Sequence, residues 1–170
     1  MTHEKGNREP RPFLAIAVLI LSALTLYFGY GKAFISIAYD PHEKNCLPDL
    51  HLALMVHVRP NKIARGEYLF WKAYGALSYV KEDFVLKKVA GIPGDKLLIK
   101  DGNVFINGVL VASGFDDAAL YNKTAKDFEK EEVIPADEYF MMGTASLSND
   151  SRYWGYLPKR VIVGEGYRIY

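Results

Sequence analysis

The chain lacks the basic runs that bind nucleic acid and the ligand spacing that binds a metal, and it has no second cysteine. Its 170 residues carry a formal net charge of +1, and the absence of a basic run argues against a nucleic-acid partner. A single cysteine, Cys46, excludes an intrachain disulfide. The histidines are scattered between residues 3 and 57 without metal-ligand spacing, so we expect neither a metal site nor a cofactor.

One long apolar run lies near the N-terminus. Residues 13–31 carry no charge and approach the length of a membrane-spanning helix. Lys5, Arg8 and Arg11 precede the run, which favours an N-terminus in the cytoplasm. A cleaved signal peptide is the alternative, but the run is longer than a usual h-region and no Ala-x-Ala site follows it.

These features predict a single-pass protein of the inner membrane, in contact with lipid. The expected parts are a cytoplasmic tail (1–12), a transmembrane anchor (13–31) and an extracytoplasmic domain (32–170), which would lie in the periplasm of a Gram-negative cell.

Beyond the anchor, the sequence predicts short strands. Apolar, β-prone runs lie at residues 51–58, 68–71, 83–90, 95–99, 104–111, 138–142 and 161–169. Inside the run 104–111, Asn107-Gly108 is typical of a type I′ hairpin turn. We expect residues 33–50 to be a transition segment and the acidic stretch 113–132 to be a surface insertion with one short helix. The fold class is therefore mostly β, with an antiparallel sheet.

The most informative run is residues 84–95, where Lys87 and Lys88 lie inside an apolar strand that ends in a Pro-Gly-Asp turn. Because side chains alternate along a strand, one lysine points inward with Val85 and Val89 while the other faces water. Loss of hydration disfavours the charged form of an inward lysine, and a neutral amine is a general base. The alternative is an edge-strand lysine whose ammonium reaches solvent along its stem.

With these blocks in order, the chain resembles the type I signal peptidases, a family of membrane-anchored Ser/Lys proteases. Besides the anchor, three blocks carry the resemblance. Residues 65–70 begin Arg-Gly-Glu, where the family has Arg-Gly-Asp before an apolar strand. Residues 87–95 are similar to the family's Lys-Arg-Val-Val-Gly-Leu-Pro-Gly-Asp. Residues 148–155 are close to its Ser-x-Asp-Ser-Arg-x-Trp-Gly.

The resemblance implies an endopeptidase that removes leader peptides from exported precursor proteins, and it implies roles for the residues in these blocks. Lys87 would be the general base, and Lys88 would take the outward place of the family's arginine. Ser148 would form a hydrogen bond with the lysine amine. Asp150 and Arg152 would form an ion pair that holds their loop in place.

The family's nucleophile block, Ser-Met-x-Pro, has no counterpart here. At the matching distance after the anchor stands Asn45-Cys46-Leu47-Pro48, which resembles the shorter Ser-x-Pro form of the conjugative-transfer branch. The shortened stretch 143–147 before Ser148 also points to that branch, whose members mature pilin subunits. We therefore expect Cys46 to be the nucleophile, because a thiol ionises far more readily than a serine hydroxyl. Pilin leader peptides and the conjugative secretion machinery are the expected partners.

Other interpretations stay open. Cys46 can be a small buried hydrophobe, Ser36 is a second candidate nucleophile, and Cys46 can belong to a Cys/His site with His42, His51 or His57. For the oxyanion hole, the backbone N–H of the nucleophile would be one donor, and Asn45 is a weak candidate for the second. A different function is a non-catalytic, membrane-tethered scaffold of a conjugative secretion complex that has lost the family's serine.

Overall fold

The computed structural model describes residues 12–40, 46–77, 84–145 and 147–169. The chain separates into two compact units at the boundary between Ile35 and Ser36. The first unit contains helix α1 (Pro12–Gly29), which has a mean hydropathy of 2.1 and no buried residue. By length and composition this helix can cross a membrane.

The second unit is built from antiparallel strands, which confirms the predicted fold class. A seven-stranded sheet has the order β1-β2-β11-β3-β4-β9-β10, and the pairs from β2 to β10 run antiparallel. Its strands are β1 (Ile35–Tyr39), β2 (Leu52–Val56), β3 (Tyr68–Lys72), β4 (Phe84–Gly91), β9 (Glu138–Met142), β10 (Leu157–Pro158) and β11 (Ile162–Arg168). Helix α2 (Ser151–Trp154) lies between β9 and β10 in the chain.

A second, four-stranded sheet has the order β7-β6-β5-β8. Its strands are β5 (Lys96–Lys100), β6 (Asn103–Ile106), β7 (Val109–Ser113) and β8 (Lys130–Val133). Asn107 and Gly108 join β6 to β7 with φ angles of 52° and 80°. Positive φ at both central residues is the requirement of a type I′ turn, so the predicted hairpin is confirmed.

Alternation along β4 decides which lysine faces the interior. Val85, Lys87, Val89 and Gly91 are buried, whereas the residues between them are half-buried. Lys87 is 2% exposed. The prediction that one lysine of the pair points inward is confirmed, and that lysine is Lys87. Gly91 contributes to the packing because a Cβ at its position would come within 2.4 Å of Ile134.

Two segments differ from the sequence prediction. Residues 33–50 contain strand β1, whose outward residues Ile35, Ile37 and Tyr39 are exposed. The acidic segment 113–132 is not merely a surface insertion, since Phe115 and Phe128 are buried in the cluster that joins the two sheets. It forms two short 3-10 helices and most of β8 instead of one helix. The charged residues of this segment predicted a surface position. Phe115 and Phe128 are too far apart in the chain to form a periodic apolar pattern, so the sequence did not identify them as core residues.

Candidate active site

Lys87 reaches a serine from a different part of the chain. Its Nζ donates a hydrogen bond to Ser148 Oγ at 2.9 Å, and both residues are buried. Strand pairing positions the lysine, because Lys87 lies opposite Leu69 on β3 while Lys88, its neighbour, lies opposite Met142 on β9. The two pairings hold the backbone of β4 from both sides.

An ion pair secures the loop that carries Ser148. Arg152 Nε donates to Asp150 Oδ1 at 2.9 Å, and the side chains are 1% and 0% exposed. Asp150 also accepts the backbone N–H of Gly143 at 3.1 Å and that of Arg152 at 3.2 Å. Arg152 Nη2 in turn donates to the backbone carbonyl of Ser148 at 3.0 Å. The pair therefore fixes both ends of the loop that presents the serine hydroxyl.

The electrostatics of this pair favour the charged form of the Arg152 guanidinium. Burial by itself lowers the pKa of the Arg152 guanidinium, but the hydrogen bond and the charge of Asp150 outweigh burial and raise that pKa above its ordinary value. Arg152 Nη1 also donates to the carbonyl of Gly114 at 2.8 Å. This contact ties the serine loop to the end of β7.

The backbone of Cys46 contacts the loop that carries Ser148. Its carbonyl accepts the N–H groups of Thr144 at 2.8 Å and Ala145 at 3.2 Å. A Cβ built on Gly143 would come within 2.1 Å of Ser148 Oγ and 2.6 Å of the Cys46 carbonyl oxygen. Both oxygens therefore border the same point, which only a glycine can leave open. The Cys46 side chain is partly exposed.

The structure brings Lys87, Ser148, Asp150 and Arg152 together and sets the Cys46 backbone against them. Within the described ranges, no hydrogen bond joins the Cys46 thiol to the Lys87 amine. Asn45, the weak candidate for an oxyanion donor, lies outside the described residues. Sequence reasoning missed Gly143, and the close packing that requires it has no local signal in the sequence.

Ser36, the other candidate nucleophile, and the histidines His51 and His57 have hydrogen-bond partners other than Cys46 and Lys87. Ser36 Oγ and His57 Nε2 share a hydrogen bond at 2.6 Å. The His57 ring packs edge-to-face against Phe70 and Phe84. His51 Nδ1 lies 3.3 Å from the carbonyl oxygen of Asp40, and His42 lies outside the described residues. Among the residues that the structure describes, no three His, Cys, Asp or Glu side chains form a group that could hold a metal ion.

The Arg-Gly-Glu block and the Pro-Gly-Asp turn, which are separate in the sequence, meet in space. Arg65 forms two hydrogen bonds to Asp95, one of them from Nε at 2.8 Å. Asp95 also accepts from the backbone N–H of Ile92 and the side-chain amide of Asn107. Burial raises the pKa of the Asp95 carboxyl, but these donors, Arg65 foremost, hold that pKa below its ordinary value. The turn after β4 is thereby tied to both β3 and the second sheet.

Comparison with known proteins finds similarity over most of the chain. Residues 13–170 match the family described as Signal peptidase, peptidase S26. A Synechocystis protein named probable signal peptidase I-2 is 30% identical over 156 residues, which cover 91% of this chain and 68% of that protein. Signal peptidase I of Leptolyngbya laminosa is 30% identical, with 84% of this chain and 71% of that protein covered.

Two further matches cover nearly the whole of the protein compared. Signal peptidase I of Bacillus caldolyticus is 27% identical, with 97% of this chain and 92% of that protein covered. A crystal structure of a signal peptidase I from Enterococcus faecalis is 22% identical, covers 62% of this chain and 97% of its own, and has a TM-score of 0.39.

Proposed function

This chain belongs to the peptidase S26 family of signal peptidases, and we propose on that basis that it is a membrane-anchored endopeptidase that removes leader peptides from exported precursor proteins. The observation that carries the proposal is the buried Lys87 amine, 2.9 Å from the Ser148 hydroxyl. Burying an ammonium without a counter-ion is costly, and no carboxylate of the described residues forms an ion pair with Lys87. An amine whose partner is a hydroxyl and not a carboxylate is suited to take part in proton transfer.

We assign Cys46 as the nucleophile and Lys87 as the general base. The Lys87 amine takes the thiol proton, and the thiolate forms a bond to the carbonyl carbon of the peptide that is cut. The C–N bond then breaks, and the Lys87 ammonium returns the proton to the leaving amine, which becomes the N-terminus of the mature protein. Water next attacks the thioester and gives its proton to Lys87. The C–S bond of the thioester breaks, and the released Cys46 thiolate recovers a proton from the Lys87 ammonium.

The remaining site residues position these two groups. Ser148 orients the Lys87 amine, and the Asp150–Arg152 pair holds Ser148 in place. The backbone N–H of Cys46 is one donor to the oxyanion, and Asn45 is the candidate for a second donor. Helix α1 is the membrane anchor, with the N-terminus in the cytoplasm and the β domain in the periplasm.

The substrates are precursors of conjugative pilin. The support for this narrower assignment is the Cys46-Leu47-Pro48 sequence after the anchor and the short stretch between Gly143 and Ser148. Both features are similar to the conjugative branch of the family. The enzyme would then work beside the secretion machinery that exports and assembles the pilin.

Co-expression with a candidate pilin precursor tests this function. We expect Cys46→Ala and Lys87→Ala each to lower the processing rate about 1000-fold or more, because each removes a group that no other can replace. Lys72→Ala is the matched control, since Lys72 is an exposed lysine on the neighbouring strand β3, and it should process at the wild-type rate. Processing is followed by the mass shift of the precursor, and folding by thermal unfolding of each purified variant.

The outcomes separate the possible functions. Wild-type processing by Cys46→Ala would exclude the thiol as nucleophile but leave the lysine in place. Processing at the wild-type rate by both variants would exclude an enzymatic function. If pilus assembly then still required the chain, the non-catalytic scaffold would be the better account.

A further inference from the structure

A cleft of about 500 Å³ lies next to the proposed active site. One wall is the end of β4, at residues 88–90, and another is the end of β7, at residues 111–113. The loop 143–145 forms a third part of the lining. The cleft therefore lies where the first sheet meets the hairpin of the second sheet, and it shares Gly143 and Arg152 with the site described above.

The cleft is continuous with the proposed active site through two chain segments. The N–H groups of Thr144 and Ala145, which line the cleft, hold the carbonyl of Cys46. Lys88, also in the lining, is the neighbour of Lys87 on β4. A substrate whose peptide bond is cut at Cys46 and Lys87 extends away from the cut on both sides, and one side can pass directly into this cleft.

The lining carries a cation without an acidic partner. Lys88 is half-buried, and its Nζ lies 5.9 Å from the centre of the Tyr68 ring. No carboxylate in the described part of the chain forms an ion pair with Lys88. The other cation of the lining, Arg152, is bound to Asp150. Lys88 is therefore the charge that a ligand in the cleft would meet.

One strand at the cleft has a backbone edge that pairs with no other strand among the described residues. Strand β7 is at the edge of the second sheet, and its only partner among the described strands is β6. An edge strand can add an extended peptide by backbone hydrogen bonds. Val111 of β7 lines the cleft and is 39% exposed, so an apolar side chain is available there beside the polar ones.

We propose that this cleft binds the first residues of the mature protein, on the far side of the cut from the leader, and that Lys88 selects an acidic residue among them. The inference rests on the proposed function and adds a specificity-determining residue to it. The mature side is favoured because the lining, besides apolar residues such as Val111 and Ala112, contains the Lys88 cation and the hydroxyl groups of Ser113 and Thr144. A cation and hydroxyl groups suit a soluble exported segment, whereas a leader is apolar and belongs in the membrane.

Cleavage of matched precursor peptides by the full-length chain in detergent tests this proposal. The peptides share one leader and carry Glu, Gln or Lys at each of the first three positions after the cut. We expect kcat/KM to be about three- to fivefold higher with Glu than with Lys at one of these positions, the size of effect typical of an exposed ion pair. Lys88→Glu should reverse the preference, and Lys88→Gln should abolish it.

Three further variants test whether the effect comes from charge in the cleft and not from a change in the fold around Lys88. Lys100→Glu makes the same charge change at an exposed lysine of β5 outside the cleft and should leave the preference unchanged. Val111→Arg adds a cation to the opposite wall and should strengthen the preference for Glu. Val109→Arg, on the same strand but outside the lining, is its matched control.

The results that would overturn this inference differ from those that would overturn the proposed function. A charge preference that Lys88→Glu leaves unchanged, or that Lys100→Glu alters equally, overturns the inference while cleavage itself stands. A charge effect that arises only from substitutions on the leader side of the cut also overturns it. If wild-type protein cuts none of the peptides and no pilin precursor, the proposed function fails and this inference fails with it.

Discussion

The amine of Lys87 and the hydroxyl of Ser148 lie 2.9 Å apart, although 61 residues separate them in the chain. Two different structural elements position them. Lys87 is presented by the interior strand β4, and Ser148 by a loop held by the buried Asp150–Arg152 pair. The Ser148 hydroxyl can be removed without disturbing β4. Substitution of Ser148 can therefore distinguish an effect on catalysis from an effect on stability.

Ser148→Ala should lower kcat about 10- to 100-fold with little change in KM, because the lysine amine loses the group that orients it. Steady-state cleavage of a precursor peptide measures this effect. Ser151→Ala is the matched control, since Ser151 is also buried but its Oγ accepts the backbone N–H of Met141. That variant should lose stability and retain kcat. An equal loss of kcat in both variants would contradict a positioning role for Ser148.

Gly143→Ala should be both less stable and inactive. The added methyl group would overlap Ser148 Oγ and the Cys46 carbonyl, and overpacking of this kind costs about 2 kcal/mol. Chemical denaturation gives the free energy of unfolding, and a cleavage assay gives the activity. Gly29→Ala is the control, because nothing lies within 4 Å of a Cβ at that position. A fully active Gly143→Ala variant would show that the loop is not held as described.

Arg152→Ala should lower the free energy of unfolding by about 3 kcal/mol, because it leaves the Asp150 carboxylate buried without a counter-charge. The double variant Asp150→Asn with Arg152→Met should recover part of that loss, since it removes both charges. Urea denaturation of the three proteins measures the difference. A double variant that is less stable than Arg152→Ala would argue against an uncompensated charge as the cause.

Asp95 should make the stability depend on pH in the acid range. Its pKa is lower in the folded chain than in the unfolded chain, so its contribution is complete above the unfolded value of about 3.9. The contribution is lost as the pH falls through the lower, folded pKa. At neutral pH, Asp95→Asn should therefore be less stable than wild type by about 1 to 2 kcal/mol.

The difference between these two proteins should shrink as the pH falls below about 4, because the wild-type carboxyl then becomes neutral as well. Thermal unfolding at a series of pH values measures it. Asp101→Asn is the control, because Asp101 is exposed in the turn between β5 and β6. A difference that stays constant down to the acid limit would assign the effect to packing and not to charge.

Local patterns predicted the parts of this protein that depend on near neighbours. The inward lysine of β4 follows from strand alternation, and the type I′ turn follows from Asn107-Gly108. The apolar helix α1 follows from an uninterrupted run of uncharged residues. In each case the physical cause acts within a few residues, so the sequence alone contains the information.

Long-range contacts limited the prediction elsewhere. The link between Arg65 and Asp95 joins two blocks that are 30 residues apart, and sequence reasoning treated these blocks separately. Phe115 and Phe128 lie in a segment whose charges predicted a surface position, yet they fill the cluster between the sheets. Neither feature has a periodic signal, because each depends on what the folded chain places opposite it.

The sequence by itself determined that an anchored, mostly β chain carries a lysine facing inward and a cysteine before Pro48. It also determined, through resemblance, which serine and which ion pair belong with that lysine. Only the tertiary structure decided that Gly143 leaves room for both Ser148 and the Cys46 carbonyl, and that Lys88 lines a cleft beside them. The reason is that strand alternation is a property of neighbouring residues, whereas a cleft exists only after distant strands have paired.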